Sequence, residues 1–188
     1  TGVIHSAVAW GDYDNDGDVD LLVLRGAWMG EEGRIPNSLL RNEGDGTFVD
    51  VTRQSGLFTR HPSNSAAFAD YDNDGWLDLF VGNESGRQPH ACQLFRNRGD
   101  GTFTDVAPSL GLDHVGFVKG VTWGDVDNDG LIDLYVSQFY QDNVLYRNMG
   151  EVQGAWRFTP STSMPGPNQS FPTWFWDYDN DGWLDLFV

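Results

Sequence analysis

Four stretches of nine residues share the pattern Asp-x-Asp-Asn-Asp-Gly-x-x-Asp, at 12–20, 70–78, 125–133 and 177–185. Their first aspartates are 58, 55 and 52 residues apart, so the pattern marks a structural repeat. Aspartates at loop positions 1, 3 and 5 place three short carboxylates on one side of a tightly curled backbone. In chain order these are Asp12, Asp14 and Asp16; Asp70, Asp72 and Asp74; Asp125, Asp127 and Asp129; and Asp177, Asp179 and Asp181. Glycine at position 6 permits the sharp turn that brings round the position-7 carbonyl oxygen, supplied by Asp18, Trp76, Leu131 and Trp183. Asp20, Asp78, Asp133 and Asp185 at position 9 close the cage, directly or through water. Such an all-oxygen, strongly anionic site suits a hard cation, and its flexibility and ligand number favour Ca²⁺ over Mg²⁺. One Ca²⁺ is expected in each of the four loops. Bare carboxylates this close would repel and shift one another's pKa.

Position 12 and the flanks argue against an EF-hand. That motif needs a bidentate glutamate at position 12, where this chain has Val23, Val81, Val136 and Val188. After each loop comes DLLVL, DLFVG, DLYVS or DLFV, short and rich in β-branched and aromatic residues, which reads as strand rather than helix.

The other elements repeat with the loops. An aromatic residue stands two positions before each loop: Trp10, Phe68, Trp123 and Phe175. In the first three copies it is flanked by small residues, the pattern of a closely packed inner strand with one large side chain wedged between layers. A second strand follows each loop, then a variable connection at 25–37, 82–93 and 137–143, then a third strand at 37–42, 93–97 and 143–148. The third strand repeats Arg41, Arg96 and Arg147, each followed by Asn42, Asn97 or Asn148. In two copies a Gly-Asp-Gly turn, which supplies positive φ, leads to a fourth strand at 47–52 or 102–107. The third copy, 149–160, lengthens this hairpin and lacks the aspartate that matches Asp50 and Asp105.

Four strands per repeat predict an all-β fold, a β-propeller of four-stranded antiparallel blades, with about three and a half blades present. The blades are expected at about 1–55, 56–110, 111–163 and, incomplete, 164–188. Up-and-down connectivity puts the aspartate loops and Gly-Asp-Gly turns on one face. The second-to-third connections and blade-to-blade links fall on the other. Three and a half blades cannot close a ring, so the chain reads as part of a longer protein whose remaining blades are its first partner. Self-association into a closed ring is the alternative.

Composition narrows the function. The net charge is −17, and 17 of the 28 acidic residues lie in the loops; the other 11 match the 11 Lys and Arg. Four bound Ca²⁺ would bring the charge to −9. Nucleic acid and anionic membranes are therefore excluded as expected partners. No apolar run approaches the ~20 residues of a membrane span, and no leader peptide is visible. The single cysteine, Cys92, reads as a buried strand residue.

The four loops and the repeated L-[LFY]-R-N-x-G-D-G-T-F unit at 39–48 and 94–103 resemble the FG-GAP/VCBS repeats of integrin α-like propellers. More narrowly, 120–136 and 170–188 are similar to the group that includes cartilage acidic protein and the ASPIC/UnbV proteins. The resemblance covers the whole chain. It implies a calcium-binding propeller, secreted or displayed at the cell surface, or periplasmic or on the outer surface if the source is bacterial. Such propellers usually have about seven blades, and in the narrower group an ASPIC/UnbV domain follows.

The expected function is non-catalytic: structural calcium, with an extracellular protein or glycan bound for adhesion. The alternative is a calcium-stabilised propeller enzyme of lyase type acting on acidic polysaccharide. It would need Arg, Lys, His or Tyr converging in a central channel, and the chain has one lysine, Lys119, and four scattered histidines. Trp76 and Trp183 offer sugar-stacking faces or pack on the neighbouring blade's loop. On the opposite face the candidates for specificity are Trp28, Arg34, Arg60, His61, Arg87, His90, Phe139 and Tyr140. Arg98-Gly99-Asp100 spells an integrin-recognition tripeptide, but Glu43-Gly44-Asp45 in the same place marks it as turn chemistry. Asn83 and Asn168 begin glycosylation sequons.

Overall fold

In a computed structural model of the chain, residues 5–161 and 169–188 are described, with His5 and Ser6 as backbone only. The first blade is a sheet of β1 (His5–Gly11), β2 (Asp20–Arg25), β3 (Ser38–Asn42) and β4 (Phe48–Asp50), paired in sequence order. The second contains β5 (Ser63–Ala69), β6 (Asp78–Asn83), β7 (Gln93–Asn97) and β8 (Phe103–Asp105). The third contains β9 (Val118–Gly124), β10 (Asp133–Gln138), β11 (Val144–Val152) and β12 (Ala155–Ser161). A two-stranded sheet, β13 (Trp174–Trp176) and β14 (Asp185–Phe187), begins the fourth. All pairings within these sheets are antiparallel. The fold is an all-β, partial propeller. The expected boundary between the third and fourth blades, and Asn168, lie outside the described residues.

The inner strands β1, β5, β9 and β13 neighbour one another in turn, so the core lies between blades rather than within one. One cluster joins Tyr13, Leu22, Leu24 and Leu39 of the first blade to Leu79, Val81, Phe95 and Phe103 of the second. Another joins Tyr71, Phe80 and Leu94 to Val118, Val121, Leu134, Val136 and Tyr146. This explains why β2 alternates between buried and half-buried residues while β6 and β10 are buried throughout. The latter two are covered by a blade on each side.

The wedged aromatics are present at the junctions. A Cβ added to Gly11 would lie 2.9 Å from the Phe68 ring, and one on Gly124 would lie 2.6 Å from Phe175. Trp123 sits against Phe80, centroids 6.2 Å apart. Trp10 differs: it has no described blade on its outer side and is 57 % exposed.

The fourth strands are shorter than the sequence pattern suggests. Asp50 Oδ1 accepts from the Thr52 N–H at 3.0 Å, and Asp105 Oδ1 accepts from the Ala107 N–H at 3.1 Å, so each aspartate turns the chain out of the sheet. After Asp105 the chain enters α1 (Ala107–Leu110), one helical turn ended by Gly111 with φ 70°. The third copy has no such aspartate, and β12 continues to Ser161. Its longer hairpin closes on Gln153 and Gly154, with φ of 55° and 81°, the geometry of a two-residue turn with positive φ at both positions.

The two faces are as the connectivity requires. Isolated bridges Gly26–Ser63, Glu84–Phe117 and Phe139–Gln169 tie each second-to-third connection to the entry of the next blade. Among the described residues no helix is long and apolar enough to cross a membrane.

Candidate metal centres

Each aspartate loop is a hairpin clamped in one register. The residue before the loop pairs with position 9 in all four copies: Gly11–Asp20, Ala69–Asp78, Gly124–Asp133 and Trp176–Asp185. Asparagine at position 4 takes the left-handed conformation, with φ of 53–58° at Asn15, Asn73, Asn128 and Asn180, which its short polar side chain tolerates. The glycine after next, with φ of 87–94°, completes the curl.

The carboxylates then divide by task. At position 1, Asp12 accepts from the N–H groups of Asp16 and Gly17 at 3.2 and 3.0 Å, and Asp70, Asp125 and Asp177 do the same in their loops. At position 5, Asp16, Asp74, Asp129 and Asp181 each accept from the N–H of position 7, at 2.8–3.0 Å. Position 9 is the keystone. Asp78 is fully buried and accepts from Tyr71 N–H at 3.3 Å and Asn97 N–H at 2.8 Å, so it joins the start of the loop to the third strand. Asp20 and Asp133 make the equivalent pairs, and Asp185 accepts from Tyr178 N–H.

Positions 1, 3 and 9 converge. Asp12, Asp14 and Asp20 offer oxygens within 4.8 Å of one another, as do Asp70, Asp72 and Asp78; Asp125, Asp127 and Asp133; and Asp177, Asp179 and Asp185. Position 5 is not in these groups; it lies in the same loop with one oxygen held by the backbone. Position 7 lies against the hairpin turn of its own blade: a Cβ on Gly99 would be 2.8 Å from the Trp76 ring, and one on Gly150 would be 3.2 Å from Leu131. Trp76 is thus placed on its own blade's turn rather than on the neighbouring blade's loop. Trp183 is largely exposed.

Two observations test whether a cation fits. Asp14 Oδ1 and Asp72 Oδ1 are buried without a hydrogen-bond donor. An anionic oxygen in that state is strongly disfavoured unless something positive faces it. Burial also pushes the Asp20 and Asp133 carboxyls up to about 6 and Asp78 to about 8, and raises Asp14 and Asp72. The donor set is all oxygen and fits a hard cation. Arginines on the third strand supply part of the countercharge: Arg96 lies 2.7 Å from Asp72 and 3.1 Å from Asp74, and Arg147 pairs with Asp127 and Asp133. In the first blade Arg41 pairs with Glu43 instead.

The recurring asparagines have roles that spacing alone does not disclose. Asn97 Nδ2 donates to the Tyr13 carbonyl of the preceding blade at 2.8 Å, and Asn148 Nδ2 donates to the Tyr71 carbonyl at 2.9 Å. At the loop tips, Asn15, Asn73 and Asn128 donate to the carbonyls of Gly75, Gly130 and Gly182 in the next loop, at 3.0, 3.3 and 3.0 Å. The loops therefore form a hydrogen-bonded chain across the blades. The repetition of these asparagines was the available signal.

Other sequence candidates resolve simply. Arg98-Gly99-Asp100 forms a hairpin turn in which Asp100 accepts from the Thr102 N–H and hydroxyl. Asn83 is fully buried, its Nδ2 donating to the Ala91 carbonyl at 2.7 Å, so its sequon is not presented for modification. Cys92 is buried, and burial pushes its thiol up to about 12.

The FG-GAP-like repeat family model matches residues 12–81, 72–136 and 125–188. Human cartilage acidic protein 1 is 38 % identical over 143 residues, 73 % of this chain and 21 % of that protein. The proteins of the same name from Xenopus tropicalis and Mus musculus are 33 % and 30 % identical, over 73 % and 81 % of this chain. The chain spans about a fifth to a quarter of the length of these relatives. The repeated loops, the blade topology and the family match agree: this chain belongs to the FG-GAP-like repeat family.

Proposed function

We propose that the chain is a calcium-stabilised, non-catalytic propeller region of an extracellular protein, with structural calcium in its loops and a protein or glycan ligand on the opposite face. The observation that carries this reading is the set of converging carboxylates with orphaned buried oxygens at Asp14 and Asp72. Positions 1, 3 and 9 would hold the cation, with position 5 and the position-7 carbonyl completing the shell. The cation would neutralise the cluster and lock each loop hairpin. At about 2 mM free calcium and a dissociation constant of about 0.1 mM, each site would add roughly 1.8 kcal/mol. Weak sites of this class fill only where calcium is plentiful, which fits secretion or surface display, as does the resemblance to cartilage acidic protein 1.

Two of the groups that a polysaccharide-cleaving site could use are committed to contacts within the fold. Lys119 is buried against Glu84, and the His114 ring spans Gln138 and Tyr146. The remaining blades of a longer parent chain would cover the exposed Trp10 side.

The test is a calorimetric calcium titration paired with melting curves in calcium and in chelator. About four sites and a large calcium-dependent rise in melting temperature are expected. Asp14→Ala should remove one site and lower the melting temperature in saturating calcium. Unchanged stability in that variant would overturn the metal role of the first loop.

A further inference from the structure

We propose that the cleft between the second-to-third connections of the second and third blades binds an acidic saccharide, a sugar ring carrying a carboxylate or sulfate. This rests on the reading that the face away from the aspartate loops carries the ligand. The cleft has a volume of about 650 Å³, and Arg87, Phe117, Phe139, Tyr140 and Gln141 are among its lining residues. That is the size of a small-ligand site, a few sugar units, and not of a flat protein interface.

Tyr140 is the first indication. It is 73 % exposed and holds φ at 68°, a conformation that bulky side chains rarely adopt. The strained backbone presents the ring to solvent instead of to the core. Its neighbour Phe139 meets it edge to face, centroids 4.1 Å apart. Phe139 is itself fixed by Phe117 and Phe171, at 6.2 and 5.5 Å. Behind them Trp28, at φ 69°, has its indole face occupied by the Lys119 ammonium 3.0 Å from the ring centre. Trp28 remains 61 % exposed, and the same ammonium lies 4.1 Å from the Phe117 ring centre; of the rings that line the cleft, Tyr140 is the most exposed. A pyranose presents an apolar C–H face that covers such a ring while its hydroxyls stay in water.

Arg87 sets the sign of the charge. It is exposed and forms no ion pair among the described residues, whereas Arg41, Arg96 and Arg147 are each paired with a carboxylate. An unpaired guanidinium beside aromatic rings suits the planar, bidentate recognition of a carboxylate or sulfate. The net charge of −17 opposes an anion anywhere on the molecule, so the guanidinium of Arg87 must act locally, and the opposition is weakest away from the aspartate loops, which hold 17 of the 28 acidic residues. Gln141 accepts the Phe117 N–H at 3.3 Å, which orients its amide nitrogen as a donor at the rim. An apolar chain would need an enclosed site; this one is open, as a hydroxyl-rich ligand requires.

The experiment titrates the calcium-loaded chain with a hyaluronan hexasaccharide, alternating glucuronate and N-acetylglucosamine, and with the fully N-acetylated chitohexaose, which is neutral. Binding of the acidic oligomer at least tenfold tighter than chitohexaose is expected. Arg87→Ala and Tyr140→Ala should each weaken it at least tenfold, and Arg87→Lys should restore part of the loss. Melting curves of the variants in calcium must match the parent, since both side chains are exposed. Equal affinity for chitohexaose, or undiminished binding in both variants, would overturn the site. So would capture of a protein ligand that Tyr140→Ala abolishes without any saccharide binding. A calcium-dependent melting temperature with no saccharide binding would sink this inference and leave the calcium reading standing.

Discussion

At position 9 of the first three loops an aspartate does two jobs: its carboxylate joins the carboxylate cluster and also holds the backbone of the loop and the third strand. Asp78 shows the cost of losing the second job. Replacing it with alanine strands two buried N–H groups, each worth about 1–3 kcal/mol when unsatisfied. Asp78→Ala should therefore lose about 2–6 kcal/mol in a urea melt run in chelator, where no cation contribution exists. Asp70→Asn, which keeps its shape and sits at an exposed turn, should lose much less there and show its effect only when calcium is added. A different residue answers to pH. His61 and His90 face each other through Nδ1 atoms 3.2 Å apart, and burial, with His90 and Arg34 nearby, lowers the His61 pKa below its ordinary value. A depressed histidine pKa gives stability that is complete above the unfolded value of about 6.5 and is lost as pH falls through the folded value. In saturating calcium the melting temperature should therefore drop between pH 7.5 and 5.5, and His61→Gln should make the profile flatter. A parallel profile in the variant would remove His61 from the explanation.

At the scale of elements, the repeated asparagines are the cross-links. Asn148 is almost fully buried and serves three backbone groups, those of Tyr71, Ile132 and Gly150. Asn42 occupies the same place in the first blade but serves only Val19 and Gly44, at an exposed site. Asn148→Ala should cost about 2–3 kcal/mol by denaturant melting and Asn42→Ala about 1 kcal/mol or less. Equal losses would mean that the contact with the preceding blade contributes nothing. The same comparison shows what could be read from sequence. The loops, strands and turns follow from local rules, because an aspartate at every second position, a glycine at the sixth and an alternating run each determine their own backbone. The partner of Asn148 lies 77 residues away, and no local rule names it. Trp76 was open to two placements for the same reason, and the short fourth strands depended on Asp50 and Asp105 acting as stops rather than as surface residues. The Lys119–Glu84 pair under Trp28 breaks the repeat outright, since Ser6, Asn64 and Phe171 stand where Lys119 does in the other copies.

For the whole molecule, stability resides in the junctions. The blades share two clusters of buried residues, and the aromatic wedges seat against small residues of the preceding blade. Gly124→Val should clash with Phe175 and cost about 1–3 kcal/mol, the usual cost of overpacking. Adding Phe175→Ala should recover part of that loss in a double-mutant cycle, and simple additivity would show that the two do not meet.

The seats for these wedges are not all alike. The residue just before the loop is Gly11 in the first blade, Ala69 in the second, Gly124 in the third and Trp176 in the fourth. The wedges that follow them are Phe68, Trp123 and Phe175. Two of the junctions are alike, a glycine facing a phenylalanine at Gly11–Phe68 and again at Gly124–Phe175. The middle one differs, with Ala69 in the seat position and Trp123 as the wedge. Duplicating the second blade in tandem would keep every aspartate loop and still bring Phe68, not Trp123, to the place after Ala69. The order of the copies is therefore written less in the aspartate loops, which any copy can supply, than in the match of seat and wedge at each junction.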